Sequence, residues 1–501
     1  MEELPLIIGK KRVPVRIPVP DYLRDHVFRD RAVFPAVEAM QLLARVAGAE
    51  HSGSGPVAIR DASFRKFLVI EPGAPAIDAC IDIEPLEGGE ITARLVTVMK
   101  SEKAAITRAV EHASITLTGV SANSTPPPPD LLAGIEGICR AIDSESIYRD
   151  LVPFKPAYHT VRSLLVSDSG AIATIAGGAP EAPDDPLGSP FPLDGSFHAA
   201  CVWGQRHAGF VGFPVRIGLR TVRRKTAPWG TYFCRVMPVR AAADHLVFDL
   251  WIYESGGTVF EEIRGLEMRD VSGGTLLPPE WIRERSGDPL APLRALCRDL
   301  SVVELAALTG SCDAMLSEPE LERYRNMREK RGTSFCAARL ALKRISRRIS
   351  GEDTATPPTL ISTVKPDGRP DCPHTGGAGA PHCTASHDSR FAVAAVSERP
   401  VGIDVEEISA RVLTGRHFYM HDGEMALAQS HPLGETEASA RVWSIKEAVT
   451  KAAGMHLAEA WKRTTVKKIG AELSEIEIDG IAHRAVHAVV EGHIFTLVLL
   501  P

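Results

Sequence analysis

Asp404 and Glu406 stand two residues apart in G-I-D-V-E, residues 402–406. On a strand both side chains point to one face. Two carboxylates on one face, with no Cys or His beside them, suit a hard, oxygen-preferring cation such as Mg²⁺. Glu447 and Lys451 stand four apart in W-S-I-K-E-A-V-T-K, residues 443–451. On a helix they share a face. If that face meets the strand, Glu447 completes a metal site or acts as a base, and Lys451 offsets the added negative charge. Taken singly, each half has an ordinary explanation. The carboxylate pair suits a solvated strand edge, and Glu447 with Lys451 suits a surface i,i+4 pair worth a few tenths of a kcal/mol.

A second group lies near the start of the chain. His26 opens H-V-F-R-D-R-A-V-F-P, ending at Pro35, and Asp194 sits in L-D-G-S-F-H, residues 193–198. A histidine works as a base near neutral pH, and a carboxyl group in a dry pocket works as an acid. Together they can remove the proton α to a thioester and help a β-hydroxyl leave as water. Free N–H groups at a helix start can polarise the thioester carbonyl. The competing explanations are a structural histidine and an aspartate that caps a helix.

The chain that must position these groups has 501 residues, 44% of them hydrophobic and 24% charged. At roughly 100–200 residues per domain this predicts about three units. A formal net charge of -6 argues against general nucleic-acid binding. No apolar run reaches the roughly 18 residues that span a membrane, and the acidic start broken by Lys, Arg and Pro is not a signal peptide. Nine cysteines without C-x-x-C spacing argue against a disulfide scaffold or zinc site and for a reducing, cytoplasmic location. Charge is uneven: residues 321–350 carry ten Lys or Arg and two Glu. Such a helix is either a solvated face or a receiver of an anionic partner.

Two Pro-rich breaks, 121–130 and 276–292, divide the chain. Each of the first two units shows a helix followed by strands with Gly-containing turns, a pseudo-repeat in which a sheet wraps a helix. The third unit alternates helices and strands. Its stretch ASARVWSIKEAVTKAAG reads as a helix stopped by Gly454, and its end as a hairpin turning at Glu491-Gly492.

In order, K-P-D-G-R-P (365–370), A-S-H-D (385–388), G-I-D-V-E and W-S-I-K-E-A-V-T-K closely resemble the 4′-phosphopantetheinyl transferases that activate peptide, polyketide and fatty-acid synthases. The resemblance covers roughly residues 295–501. It implies a two-lobed α/β domain that moves phosphopantetheine from coenzyme A to a carrier-protein serine and releases 3′,5′-ADP. By that resemblance Asp404, Glu406 and Glu447 hold Mg²⁺, Glu447 is also the base, and Lys451 stabilises the leaving charge. Lys365, Arg369 and His387 bind coenzyme A phosphates, and Arg339, Lys343 and Lys446 join them less tightly. The basic helix, Arg323, Arg325 and Arg328 included, would steer an acidic acyl carrier protein.

H-x8-P at His26–Pro35, A-Y-H at 157–159 and D-x3-H at 194–198 resemble the dehydratase domains of polyketide synthases, which are double hotdog folds. The resemblance covers roughly residues 1–275. It implies hotdog one at 1–121, a Pro-rich linker at 122–145, hotdog two at 146–275 and a linker at 276–294, hence an α+β double hotdog before the transferase. His26 and Asp194 are then catalytic, and Tyr158, His198 and Pro35 belong to the substrate pocket. Asp30 occupies the family's glycine position, which leaves open a non-catalytic docking or template module. No carrier motif is present, so the carrier comes from another chain. Neither nucleic acid nor a membrane is an expected partner.

Overall fold

The structure, a computed structural model, describes residues 9–48, 57–100, 107–119, 127–178, 185–284, 287–351, 356–372 and 381–501. It divides into two compact units. One comprises Met1–Pro127 with Arg140–Arg285, and the other Pro128–Cys139 with Ser286–Pro501.

The first unit is built on one twelve-stranded antiparallel sheet with two buried helices. In the first half the strands run in the order Lys11–Pro18, Ala76–Pro85, Ile91–Lys100, Thr107–Gly119, Val57–Phe64. Helix Ala36–Gly48 packs on them through Val37, Met40, Leu43, Ala44 and Ala47, a one-sided apolar stripe at helical spacing. In the second half helix Phe191–His207 is buried on nearly every side. There Gly195 permits the close approach: a Cβ would lie 2.6 Å from Thr160 Oγ1 and 2.8 Å from Ile175. The halves join where the first strand after each helix, Val57–Phe64 and Phe213–Val222, pair antiparallel. This is the doubled, helix-wrapping arrangement expected of a double hotdog. Strands Lys11–Pro18 and Val57–Phe64 and the hairpin Val161–Ser167/Gly170–Ala176 had no clear signal in the sequence.

The second unit has two layers of sheet and helix. A three-stranded sheet, Asp299–Glu304, Phe391–Ser397 and His382–His387, is backed by helix Glu329–Ser350. A five-stranded sheet begins at the edge with Val401–Glu407, which pairs with His493–Leu499, and helix Glu435–Ala453 packs against it. Gly454 ends that helix in a left-handed conformation, and Glu491-Gly492 turn the final hairpin with positive φ at both residues. Both features match the sequence reading.

The linker expected at 122–145 does not behave as one. Residues 120–126 lie outside the described residues. From Pro128 to Cys139 the chain is part of the second unit. Gly137 N–H donates to the Val302 carbonyl at 2.9 Å, and Cys139 N–H to Glu304 Oε2 at 2.9 Å. Arg344 donates to the carbonyls of Ala133, Gly134 and Ile135, and Arg348 pairs with Glu136. A Cβ at Gly134, whose φ is +67°, would overlap the Ala307 carbonyl. From Arg140 the chain is already a strand of the first unit.

The basic helix also differs from expectation. Lys343 forms a buried ion pair with Glu320 at 2.6 Å and donates to Met315 and Pro358 carbonyls. Arg339 is buried over the Phe335 ring and donates to the Thr363 carbonyl at 2.7 Å. Arg344 and Arg347 likewise donate to buried carbonyls. Arg323 holds the Pro366 carbonyl and Arg325 pairs with Glu318. Much of the positive charge therefore satisfies internal acceptors, which fixes the helix in place, while Arg325, Arg328, Lys330, Arg331 and Arg348 are the exposed cations of residues 321–350.

Candidate functional sites

In the second unit the edge strand Val401–Glu407 turns Ile403 and Val405 into the core and presents Asp404 and Glu406 on its other face. Gly402 lets helix Glu435–Ala453 approach, because a Cβ there would overlap the Ala448 carbonyl. The helix then brings Lys451 onto the strand. Its ammonium donates to Asp404 Oδ1 at 2.8 Å, to Ser386 Oγ at 2.8 Å and to the Ile403 carbonyl at 3.0 Å. Ser386 in turn donates to Asp404 Oδ1 at 2.8 Å. The other oxygen of Asp404 is buried with no hydrogen-bond partner among the described residues.

Glu406 and Glu447 complete an acidic group. Burial pushes the Glu406 carboxyl up to about 7, and the nearby Asp404 and Asp388 charges push the same way, while hydrogen bonding from Trp443 favours the charged form. Burial also raises Glu447, with Asp404 next and Lys451 opposing. Asp404 disfavours the charge on both glutamates, and three carboxylates fit a hard cation by donor type. Among the described residues, no three His, Cys, Asp or Glu side chains close on one point as a ready-made metal cage. The set is open, with Lys451 placed at Asp404.

Lys365 and Arg369 flank a tight turn that is exposed at the surface. Arg369 donates to the Gly454 carbonyl at 3.0 Å, which ties the turn to the end of the Glu447 helix. His387 is exposed at its edge, yet crowding by the protein lowers its pKa first and the cations Lys451, Arg339 and Arg331 lower it further. Basic groups thus gather beside the carboxylates. Lys446 does not join them. It is fully buried in an ion pair with Glu424 at 2.7 Å and also donates to the Tyr419 carbonyl. One residue along a helix turns about 100°, so Lys446 points away from the face that Glu447 and Lys451 share. Its expected cofactor contact is corrected to a structural one. Arg339 is corrected in part: it faces this side of the molecule, but its guanidinium is buried against Phe335 and Thr363. Ser386 and Trp443 were not singled out from the sequence, although both lie inside the quoted motifs.

In the first unit a largely apolar cavity of about 760 Å³ opens against His26, Asp194 and His198. His26 Nδ1 lies 3.1 Å from the Val33 carbonyl, which orients the ring. Burial holds its pKa below the ordinary histidine value, and Asp194 opposes that shift. A neutral ring is the form that accepts a proton. Asp194 occupies the first turn of its helix, where the helix dipole favours negative charge. His198 Nε2 lies 2.9 Å from Asp194 Oδ2 without hydrogen-bond alignment, and Tyr148 OH lies 3.3 Å from His198 Nδ1. Pro35 and Tyr158 are corrected as pocket residues. Pro35 is buried and its carbonyl receives the Ala39 N–H at the start of helix Ala36–Gly48. Tyr158 is buried edge-on to the His26 ring at 5.1 Å, behind the cavity wall rather than in it.

Asp30 has a local explanation. Val27–Phe28 pairs with Arg31–Ala32, and the turn residues Arg29 and Asp30 have φ of 48° and 60°. Such a turn favours glycine, and aspartate is among the residues that tolerate it. Asp30 is exposed at the cavity edge and is not among the charges that shift His26. Asp30→Gly is therefore expected to leave the rate of water loss from a 3-hydroxyacyl carrier within about twofold. A rise beyond tenfold would show that Asp30 obstructs the site.

Residues 400–498 match the model of the 4′-phosphopantetheinyl transferase superfamily. Residues 127–278 match the polyketide synthase dehydratase N-terminal domain. Each match covers less than half of the chain. The transferase segment is also 32% identical over 77 residues to a 4′-phosphopantetheinyl transferase of Bacillus subtilis, covering 15% of this chain and 34% of that enzyme. The chain thus spans about a third of that relative's length. The dehydratase-like unit resembles solved dehydratase domains. A trans-AT polyketide synthase dehydratase domain from Brevibacillus brevis is 17% identical, covers 52% of this chain and 94% of its own, and has a TM-score of 0.42. The dehydratase domain of PpsC from Mycobacterium tuberculosis, solved with C12:1-CoA, is 18% identical over 52% of this chain and 94% of its own, with a TM-score of 0.41. Among the described residues, no helix of either unit is long and apolar enough to cross a membrane.

Proposed function

We propose that the chain is a bifunctional cytoplasmic enzyme of polyketide or fatty-acid biosynthesis. Its second unit transfers 4′-phosphopantetheine from coenzyme A to the serine of an acyl carrier protein, as a holo-carrier synthase. Its first unit dehydrates a carrier-bound 3-hydroxyacyl thioester to the enoyl thioester. The observation that supports the transferase most is the convergence of Asp404, Ser386 and Lys451 beside two carboxylates with raised pKa.

Asp404, Glu406 and Glu447 are the residues that would hold Mg²⁺, and the unpartnered Asp404 oxygen and the acidic group fit that role. Bound there, the metal would neutralise charge on the coenzyme A pyrophosphate. Glu447, directly or through water, takes the proton from the carrier serine as its oxygen attacks the β-phosphorus. The bond to the 3′,5′-ADP oxygen breaks, and Lys451 stabilises the charge released there. Lys365, Arg369 and His387 hold the coenzyme A phosphates. In the other unit His26 takes the α-proton, Asp194 protonates the departing hydroxyl and His198 steadies Asp194.

Intact mass tests both halves. An apo carrier given coenzyme A should gain phosphopantetheine with Mg²⁺ and not with chelator. A 3-hydroxyacyl carrier should lose water, and His26→Ala should abolish that loss. If no chain length loses water while transfer proceeds, the first unit is a docking or template module. If no mass is gained, the transferase reading fails.

A further inference from the structure

The A-S-H-D stretch contains a residue that neither the mechanism nor the phosphate contacts use. In strand His382–His387, Thr384 and Ser386 share the buried face, and both meet the strand that carries the acids. Thr384 Oγ1 accepts the Ile403 N–H at 3.3 Å. Ser386 donates to Asp404 Oδ1 at 2.8 Å and accepts from Lys451 at 2.8 Å. Ser386 is 8% exposed.

We propose that Ser386 is a positioning residue for the cation site: with Lys451 it occupies one oxygen of Asp404, which leaves the other oxygen free to ligate. This rests on the reading of Asp404 as a metal ligand. A hydroxyl has one proton to donate. Here that proton is directed at Asp404. Asp404 Oδ1 is then doubly held, and Oδ2 is the buried atom with no partner among the described residues. A carboxylate fixed in this way keeps its orientation when the cation is absent, which lowers the ordering cost of binding.

The test uses the full chain without coenzyme A and follows binding of Mn²⁺, an oxygen-preferring stand-in for Mg²⁺, by electron paramagnetic resonance. Ser386→Ala should weaken Mn²⁺ binding about tenfold, at the lower end of what outer partners of metal ligands contribute. Its thermal midpoint should stay close to that of the parent. Ser386→Thr, which keeps the hydroxyl, should restore binding to within about threefold. If Ser386→Ala binds Mn²⁺ like the parent, the proposal is overturned. A rise in the KM for coenzyme A in that variant would then place Ser386 on the substrate. If the parent chain itself binds no Mn²⁺, it is the metal reading of Asp404, Glu406 and Glu447 that fails.

Discussion

Glu447→Gln is expected to lower phosphopantetheine transfer by about 10²–10⁴-fold, the usual contribution of a positioned base. The substitution keeps the shape and removes both the charge and the proton acceptor. Intact-mass rates at saturating coenzyme A and carrier measure it, and full activity in the variant would end the mechanism given above. The pH dependence has a definite sign. Burial pushes the Glu406 carboxyl up to about 7 and raises Glu447 as well. In the proposed mechanism their ionised forms would ligate the cation and accept the serine proton, so transfer should rise as pH passes through about 7. Metal and proton compete for the same oxygens, so added Mg²⁺ should move the midpoint to lower pH.

The same shifts act on stability in the opposite sense. A carboxyl whose folded pKa is raised binds its proton more tightly folded than unfolded. The second unit should therefore lose stability as pH rises from the unfolded carboxylate value, about 4.3, through about 7. Mg²⁺ should reduce that loss.

The second large effect falls on stability alone. Lys446→Met is expected to destabilise the second unit by about 3–5 kcal/mol, the usual cost of leaving a buried charge without its partner. Glu424 is 1% exposed. Besides Lys446 it accepts the N–H groups of Val466 at 2.7 Å and His421 at 2.8 Å. It therefore joins helix Glu435–Ala453, helix Asp422–Gln429 and strand Thr464–Lys468 at one buried point. Such a loss is a large part of a typical domain's 5–15 kcal/mol. The double variant Lys446→Met with Glu424→Gln should recover part of it, because no uncompensated charge remains. Thermal unfolding of the four proteins gives the cycle. A raised KM for coenzyme A with unchanged unfolding would instead return Lys446 to the cofactor.

What could be read in the sequence follows the range of each interaction. The Asp404–Glu406 alternation, the Glu447–Lys451 spacing and the stops at Gly454 and Glu491-Gly492 are local, and all appear where expected. The direction of Lys446 is local too: a helical projection places it off the Trp443–Glu447–Lys451 face, so motif membership alone misassigned it. The fate of the basic helix was not local. Charge counting cannot show that Lys343 meets Glu320 or that Arg344 meets carbonyls over two hundred residues earlier in the chain. Tyr158 and Pro35 follow the same rule. Their position relative to the cavity is set by how the second hotdog helix and its loops pack, which no spacing encodes. Asp30 was legible as a departure, and its backbone angle supplies the reason it is tolerated.

The segment Pro128–Cys139 makes the second unit a discontinuous object. Its sequence is not one interval but two, separated by the second hotdog. The chain crosses between the units three times, after residues 127, 139 and 285. A gene fragment that begins at residue 286 would omit the Ala133, Gly134 and Ile135 carbonyls that Arg344 holds and one of the two acidic partners of Arg348.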